Sequence, residues 1–360
     1  MTRVTLTTAD TPGAVAILQL HGDGITNVLE QLTGRADWAD LRAYLVNFAD
    51  IDEGLAIQLN SQAAQLMPHG GPRVVQRLLE HLINKLGCTY EAEPDPRDLY
   101  PEAQSHIEAD MLAAIAKAAS PAAIDLLAAQ PALWRGLFQQ AGEVSQTQRL
   151  PIATRSKTLN HLVTPPTVVV AGPANVGKST LTNTLMGKAM SIVADLPGTT
   201  RDWVGGLVEL SATSDPQQAV AVHWLDTPGL RDSDDKIEQR AIQLARQQIE
   251  QSHVLIAMRD SGHPWPEADT LPRKPDLYVI NKVDDAAPPD TSAGRSPEHP
   301  LPLSATNNRN LSRLQGIIIE QLGLHGITSE PWAFSKKLLA WCESGEQSDL
   351  SDYLDPISTV

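Results

Sequence analysis

Residues 167–187 read Thr-Val-Val-Val-Ala-Gly-Pro-Ala-Asn-Val-Gly-Lys-Ser-Thr-Leu-Thr-Asn-Thr-Leu-Met-Gly. The first five residues are a β-branched apolar run, the pattern of a buried parallel strand. Gly172–Ser179 then fits G-x-x-x-x-G-K-[ST], in which backbone N–H groups cradle nucleotide phosphates. Beyond it, Leu181 and Leu185 share one helical face and Gly187 offers a stop. Strand, glycine turn and helix form the context that the motif requires, because the helix N-terminus adds its positive dipole end to an anion site. The stretch predicts a site for a nucleoside triphosphate built from Gly172, Asn175, Val176, Gly177, Lys178, Ser179 and Thr180. Lys178 would bridge the β- and γ-phosphates and Ser179 would reach Mg²⁺.

Working outward, Val222–Leu225 leads into Asp226-Thr227-Pro228-Gly229. A carboxylate at a strand end can hold the water shell of Mg²⁺ while the Gly229 N–H senses the γ-phosphate. Leu277–Ile280 ends in Asn281-Lys282-Val283-Asp284. A carboxylate there accepts from both the ring N–H and the exocyclic amine of guanine, whereas adenine presents the wrong donors. Ser304-Ala305-Thr306 follows a proline-rich loop and suits a backbone contact to the base. Taken alone, Asp-Thr-Pro-Gly reads as a turn and Asn-Lys-Val-Asp as a solvated loop. Four such elements in this order after apolar strands select GTP and GDP. Between them lies Leu196-Pro197-Gly198-Thr199-Thr200-Arg201-Asp202, where a switch segment would present the Thr200 hydroxyl to Mg²⁺ only with the γ-phosphate in place. The same residues also read as a Pro-Gly turn into a strand Trp203–Leu210.

Composition bounds the rest. A chain of 360 residues has room for two or three domains. Its net charge of −15 argues against broad electrostatic capture of nucleic acid, which depends on Lys and Arg replacing phosphate counterions. Cys88 and Cys342 match no metal spacing and read as reduced thiols of a cytoplasmic protein. No apolar run reaches membrane-spanning length, and no signal-peptide segment opens the chain.

The fold class expected is α/β: a G domain with a mainly parallel sheet over 167–327, preceded by a small α+β domain over 1–90. Residues 91–166 would be a helical segment and linker, with 143–166 as the polar linker. Residues 328–360 would hold a short helix, Phe334–Trp341, and an acidic solvated tail. In the first domain, Ala14–Leu20, Tyr44–Phe48 and Leu55–Leu59 are strand candidates, and Val74 to Leu86 has the spacing of an amphipathic helix behind Pro68-His69-Gly70-Gly71-Pro72. His69 reads first as a turn residue and second as a ligand contact. Asp285–Pro302 reads as a surface loop.

Gly-Thr-Thr-Arg-Asp at 198–202, Asp-Thr-Pro-Gly-Leu-Arg at 226–231 and the phosphate loop with Asn175 resemble the tRNA-modification GTPases of the MnmE (TrmE) type. Thr11–Ile17 and His69–Pro72 are similar to that family's N-terminal domain. The resemblance covers 167–306 most strongly and 10–90 next. It implies GTP hydrolysis in service of tRNA wobble-uridine modification. It also implies K⁺ beside the phosphates, held with the help of Asn175, and pairing of G domains in a homodimer. Leu230 follows Gly229 and cannot orient water as a glutamine would. The resemblance places that role on Glu238, which otherwise reads as a helical surface charge. Family members end in a Cys-containing motif and carry a long helical domain, whereas this chain ends Asp355–Val360 with Cys342 well before the end. The family's formyl-tetrahydrofolate site expects a basic residue near Pro12-Gly13-Ala14, which is absent, so folate is not assigned from the resemblance. The alternative is a GTP-dependent regulator or ribosome/RNA-assembly factor that acts through partner binding, without a tRNA-modification activity of its own; a tRNA-modification or ribosome-associated protein is the partner expected.

Overall fold

In this computed structural model the described residues are all but 9–11, 142–143, 188–203, 214, 228–242, 244–245, 267–270, 285–292, 346–349 and 355–360. The chain divides into two compact units, Met1–Ala113 with Ser348–Val360, and Ala114–Gln347.

The first unit is built on six strands: β1 (Arg3–Leu6), β2 (Leu18–His21), β3 (Ala43–Phe48), β4 (Asp52–Asn60), β5 (Ala63–Met67) and β6 (Thr89–Tyr90). Their order is β3-β4-β5-β2-β1-β6, with antiparallel pairing except between β1 and β6. Helices Ile25–Thr33 and Pro72–Asn84 cover one face. Their apolar stripes, Val28, Leu29 and Leu32 on one and Val75, Leu78 and Leu82 on the other, share a core with Leu18, Leu20, Phe48 and Leu66. Burying each such side chain contributes about 1.5–3 kcal/mol. The expected strand over Ala14–Leu20 is shorter than its apolar run. It begins at Leu18, because Gly13 and Ala16 instead bond to Gly70 and Pro68 across a turn. His69 belongs to that turn: its backbone N–H donates to Asp52 Oδ2 at 2.8 Å and its ring Nδ1 lies 2.9 Å from Oδ1.

The second unit carries the parallel sheet: β7 (Thr167–Ala171), β8 (Val204–Leu210), β9 (Val220–Asp226), β10 (Val254–Arg259), β11 (Leu277–Ile280) and β12 (Leu301–Pro302). Their order is β12-β11-β10-β7-β9-β8, and only β8 runs antiparallel to its neighbour. β7 sits in the middle, which is why Val168, Val169 and Val170 are all fully buried. In chain order, helix Lys178–Met186 stands between β7 and the antiparallel β8, and helix Leu311–Gln321 follows β12, the last strand of the sheet.

Three expectations are corrected. The polar linker of 143–166 is a helix, Gln146–Leu159, followed by a 3₁₀ turn at Asn160–Leu162. It buries a narrow stripe of Ile152, Ala153, Ser156 and Leu159, and Pro151 inside it masked the period. The helix expected at Phe334–Trp341 runs Lys336–Ser344, starting where the Ser335 side chain accepts from the Leu338 N–H. Ahead of it, Trp134 Nε1 donates to the Trp332 carbonyl at 3.0 Å, and Ser156 Oγ accepts from Ala333 N–H at 2.8 Å. The acidic end is not wholly solvated. Leu350–Leu354 is a helical turn with Leu350, Tyr353 and Leu354 buried in the first unit, and Tyr353 donates to Asp110 Oδ2 at 2.6 Å. Three apolar side chains outweigh the tail's charge because their spacing puts them on one face. Of the loop expected over Asp285–Pro302, residues 285–292 lie outside the described set and Leu301–Pro302 forms β12.

Both cysteines are buried, and burial raises both thiols, Cys342 to about 12. The nucleophile is the thiolate, so at about pH 8 roughly one Cys342 in ten thousand would be reactive even if reached. The expected result is negligible labelling by an aromatic disulfide reagent in the folded protein and two thiols released after denaturation. Rapid labelling of either cysteine before unfolding would contradict this packing.

Candidate functional site

Parallel strands of one sheet end on one edge, and ligands bind beyond their carboxyl ends. β7 ends at Ala171, β9 at Asp226, β10 at Arg259 and β11 at Ile280. Every motif selected from the sequence and described in the structure begins where one of these strands, or the short β12, stops.

The phosphate loop turns tightly for identifiable reasons. A Cβ on Gly172 would fall on the carbonyl oxygen of Met258, so β7 can approach β10 this closely only with glycine there. Gly177 has φ +98°, and a Cβ on it would fall on the Asn281 amide. Asn175 adopts φ 64°, the left-handed region that Asn tolerates best among side-chain-bearing residues. Val176 is buried and anchors the loop, while helix Lys178–Met186 follows at once with its N–H groups facing the loop.

Lys178 and Ser179 set the electrostatics. The Lys178 ammonium donates to the carbonyls of Gly172 and Pro173 at 3.0 and 2.9 Å. Burial pushes its pKa down, and Asp226 nearby pulls it partly back. Asp226 accepts from Ser179 Oγ at 2.7 Å through Oδ2. Burial pushes this carboxyl up, against the lowering effect of Ser179 and Lys178. Its other oxygen, Oδ1, is buried with no partner among the described residues. A buried carboxylate with an orphaned oxygen, bonded to a hydroxyl at a helix N-terminus, suits a hard divalent cation that keeps part of its water shell. Ser179 and Asp226 therefore fit Mg²⁺. Thr180 lies exposed in the same first helical turn, and Thr184, one turn on, donates to the Ala305 carbonyl at 3.1 Å.

On the base side, Asn281 is 3% exposed and ties three segments together. Its Nδ2 donates to the Val176 carbonyl at 2.9 Å, and its Oδ1 accepts from Ala305 N–H at 3.1 Å. Asp284 Oδ1 accepts from Ser304 Oγ at 2.6 Å and from Asn307 Nδ2 at 3.0 Å. Lys282 reaches back to the phosphate loop, donating to the Asn175 carbonyl at 2.7 Å. Thus Gly172, Asn175–Ser179, Asp226, Asn281, Lys282, Asp284, Ser304 and Ala305 are brought together. Thr200, Gly229 and Glu238 lie outside the described residues.

Sequence reading missed two residues here. Met258 closes the underside of the loop, with nothing in its apolar strand to single it out. Asp260 accepts from the Lys282 ammonium at 2.8 Å, and its pKa is held well below the usual carboxylate range by that bond and by His263. An acidic residue just past an apolar strand was the available signal.

One other cluster invites a metal reading. His21, Glu91 and Asp98 gather in the first unit, but Arg3 bridges both carboxylates at 3.2 and 2.9 Å and already supplies the cation.

Among known proteins, a family profile described as 50S ribosome-binding GTPase matches residues 167–282. The tRNA modification GTPase MnmE of Nitrosomonas europaea is 29% identical over 370 residues, which cover 86% of this chain and 79% of that protein. The tRNA modification GTPase MnmE of Bordetella petrii is 28% identical over 388 residues, covering 91% and 82%. A crystal structure of an Aquifex aeolicus Era variant bound to GDP and aluminium fluoride shares 29% identity, with a TM-score of 0.33 over 46% of this chain and 58% of that one. No described helix is long and apolar enough to cross a membrane.

Proposed function

We propose that the chain is a divergent MnmE-type GTPase that hydrolyses GTP to GDP and phosphate to drive modification of the tRNA wobble uridine, a reading supported by its similarity to MnmE proteins and by the GTPase profile. The observation that carries the nucleotide part is the pair of hydrogen bonds at Asn281, donated to the Val176 carbonyl in the phosphate loop and accepted from the Ala305 N–H. It joins phosphate and base recognition in one rigid frame and leaves Asp284 to accept from guanine. The tRNA output is carried by the relatives, whose similarity spans both units.

In this reading the Lys178 ammonium leaves the loop carbonyls for the β- and γ-phosphates, where burial makes its charge count for more. Ser179 and Asp226 would hold Mg²⁺, with Thr200 completing the set in the GTP state, and the ion's charge would offset the charge that develops on the phosphates. The Gly229 N–H would sense the γ-phosphate and Glu238 would orient the attacking water. Asn175 would help to hold K⁺, G domains would pair in a homodimer, and a second protein would share the modification step. Folate binding forms no part of the proposal.

Two measurements test it. Turnover in potassium against sodium, with Asn175→Ala alongside, is expected to show potassium stimulation that the variant loses; equal rates in both salts would remove the ion role. Nucleoside analysis of tRNA from a deletion strain is expected to show wobble uridine lacking its modification, restored by this protein. An unchanged nucleoside profile would sink the tRNA output and leave GTP hydrolysis standing.

A further inference from the structure

We propose that Asp260 is a positioning residue of the nucleotide site, acting through Lys282 on the crest of the phosphate loop. The inference rests on the GTP-binding reading above and adds a residue to it. Asp260 is the first residue after β10, and both its oxygens are committed. Oδ1 accepts from the Gly262 N–H at 3.0 Å and lies 2.6 Å from His263 Nδ1. Oδ2 takes the Lys282 ammonium at 2.8 Å. The carboxylate is only 9% exposed and is held in place by its own loop before the lysine arrives.

Lys282 carries that order onward. Its ammonium is shared between Asp260 Oδ2 and the Asn175 carbonyl, while its neighbour Asn281 holds the next carbonyl, Val176. Two consecutive carbonyls of the phosphate loop are therefore tied to two consecutive residues of the base loop. The residues at both ends of the outer tie are strained. Asn175 has φ 64° and Lys282 φ 63°, a left-handed backbone region that L-residues adopt only under constraint. An isolated exposed Lys–Asp pair contributes little, since ordering a lysine offsets the attraction. This one differs in that its carboxylate is prefixed and its lysine has a second acceptor, so releasing Asp260 loosens the Asn175 carbonyl as well.

The test is a double-mutant cycle on the full chain, read by equilibrium binding of a fluorescent GDP and by steady-state turnover of GTP. Asp260→Asn and Lys282→Met are each expected to weaken GDP binding about ten-fold, the scale of one charge-assisted hydrogen bond. The double variant should be no weaker than the weaker single one, because the two act as one unit. KM for GTP should rise with the dissociation constant while kcat changes less than about two-fold. Additive losses, near a hundred-fold in the double variant, would overturn the proposal, as would GDP binding by Asp260→Asn within two-fold of wild type. A lower thermal midpoint without nucleotide and unchanged GDP affinity would mark Asp260 as merely structural, and would overturn it too. Should Asp260→Asn fail to fold, His263→Ala removes one of the carboxylate's loop partners. A two- to three-fold loss that vanishes in the Lys282→Met background is then expected, and a loss persisting there overturns the proposal. Wild-type protein that binds no GDP would instead refute the parent reading, and this one with it.

Discussion

Asp284→Asn is expected to weaken GDP and GTP binding by about 10²–10³-fold and to let xanthine nucleotides bind in their place. Guanine offers two donors to this position, a ring N–H and an exocyclic amine, and a carboxylate accepts both. Two charge-assisted hydrogen bonds together contribute about 3–4 kcal/mol, which converts to that range of affinity. An amide turns one acceptor into a donor, which then faces the guanine amine. Xanthine carries a carbonyl where guanine has that amine, so the new donor finds an acceptor. The fold should survive the change. Ser304 Oγ and Asn307 Nδ2 both bond Oδ1, an atom that asparagine retains as an acceptor. Competition between GDP and its xanthine counterpart for the same site is the measurement. If the variant holds GDP within ten-fold of wild type and gains nothing for xanthine, Asp284 does not read the base.

That prediction was reachable from the sequence because Asn281 and Asp284 follow directly on a buried strand, and strand ends of a parallel sheet share one edge. The same logic exposed Gly172–Ser179 and Asp226, each beginning where an apolar run stops. What stayed hidden was whatever depends on a partner remote in the chain. The motif marks Gly172 and Gly177, but why each must be glycine is visible only with Met258 and Asn281 pressed against them. Asp260 carries no motif, and its weight comes wholly from Lys282, 22 positions on. In sequence the helix Gln146–Leu159 reads as a linker because two of its four buried residues, Ala153 and Ser156, are too small or polar to mark an apolar face. The end of the chain was misjudged for the opposite reason. Its charges dominate the composition, while Leu350, Tyr353 and Leu354 decide its packing.

Asp226→Asn is expected to separate stability from activity, raising one and lowering the other. Asp226 is 6% exposed, and one of its oxygens has no partner among the described residues. Burial raises its pKa above the ordinary value of 3.8 despite Ser179 and Lys178. Between the unfolded and the folded pKa, the folded state therefore binds more protons than the unfolded one. By linkage, this group's contribution makes stability fall as pH rises through that window, then level off above it. Asparagine has no charge to strip of water, so the variant should lack that fall. It should unfold at a denaturant concentration equal to or above that of wild type at about pH 8, with the gap closing below the carboxylate range. Turnover moves the other way. Losing a carboxylate that orients the water shell of Mg²⁺ should lower GTP hydrolysis about 10–100-fold, and excess Mg²⁺ should restore part of it. Denaturant titrations at two pH values, paired with single-turnover rates across a Mg²⁺ series, read both arms. A variant less stable than wild type at about pH 8 would refute the burial argument. Unchanged turnover would remove Asp226 from the metal site. Both expected shifts together would mean that this carboxylate is kept at a cost to the stability of the fold, for an ion that would bind there with nucleotide.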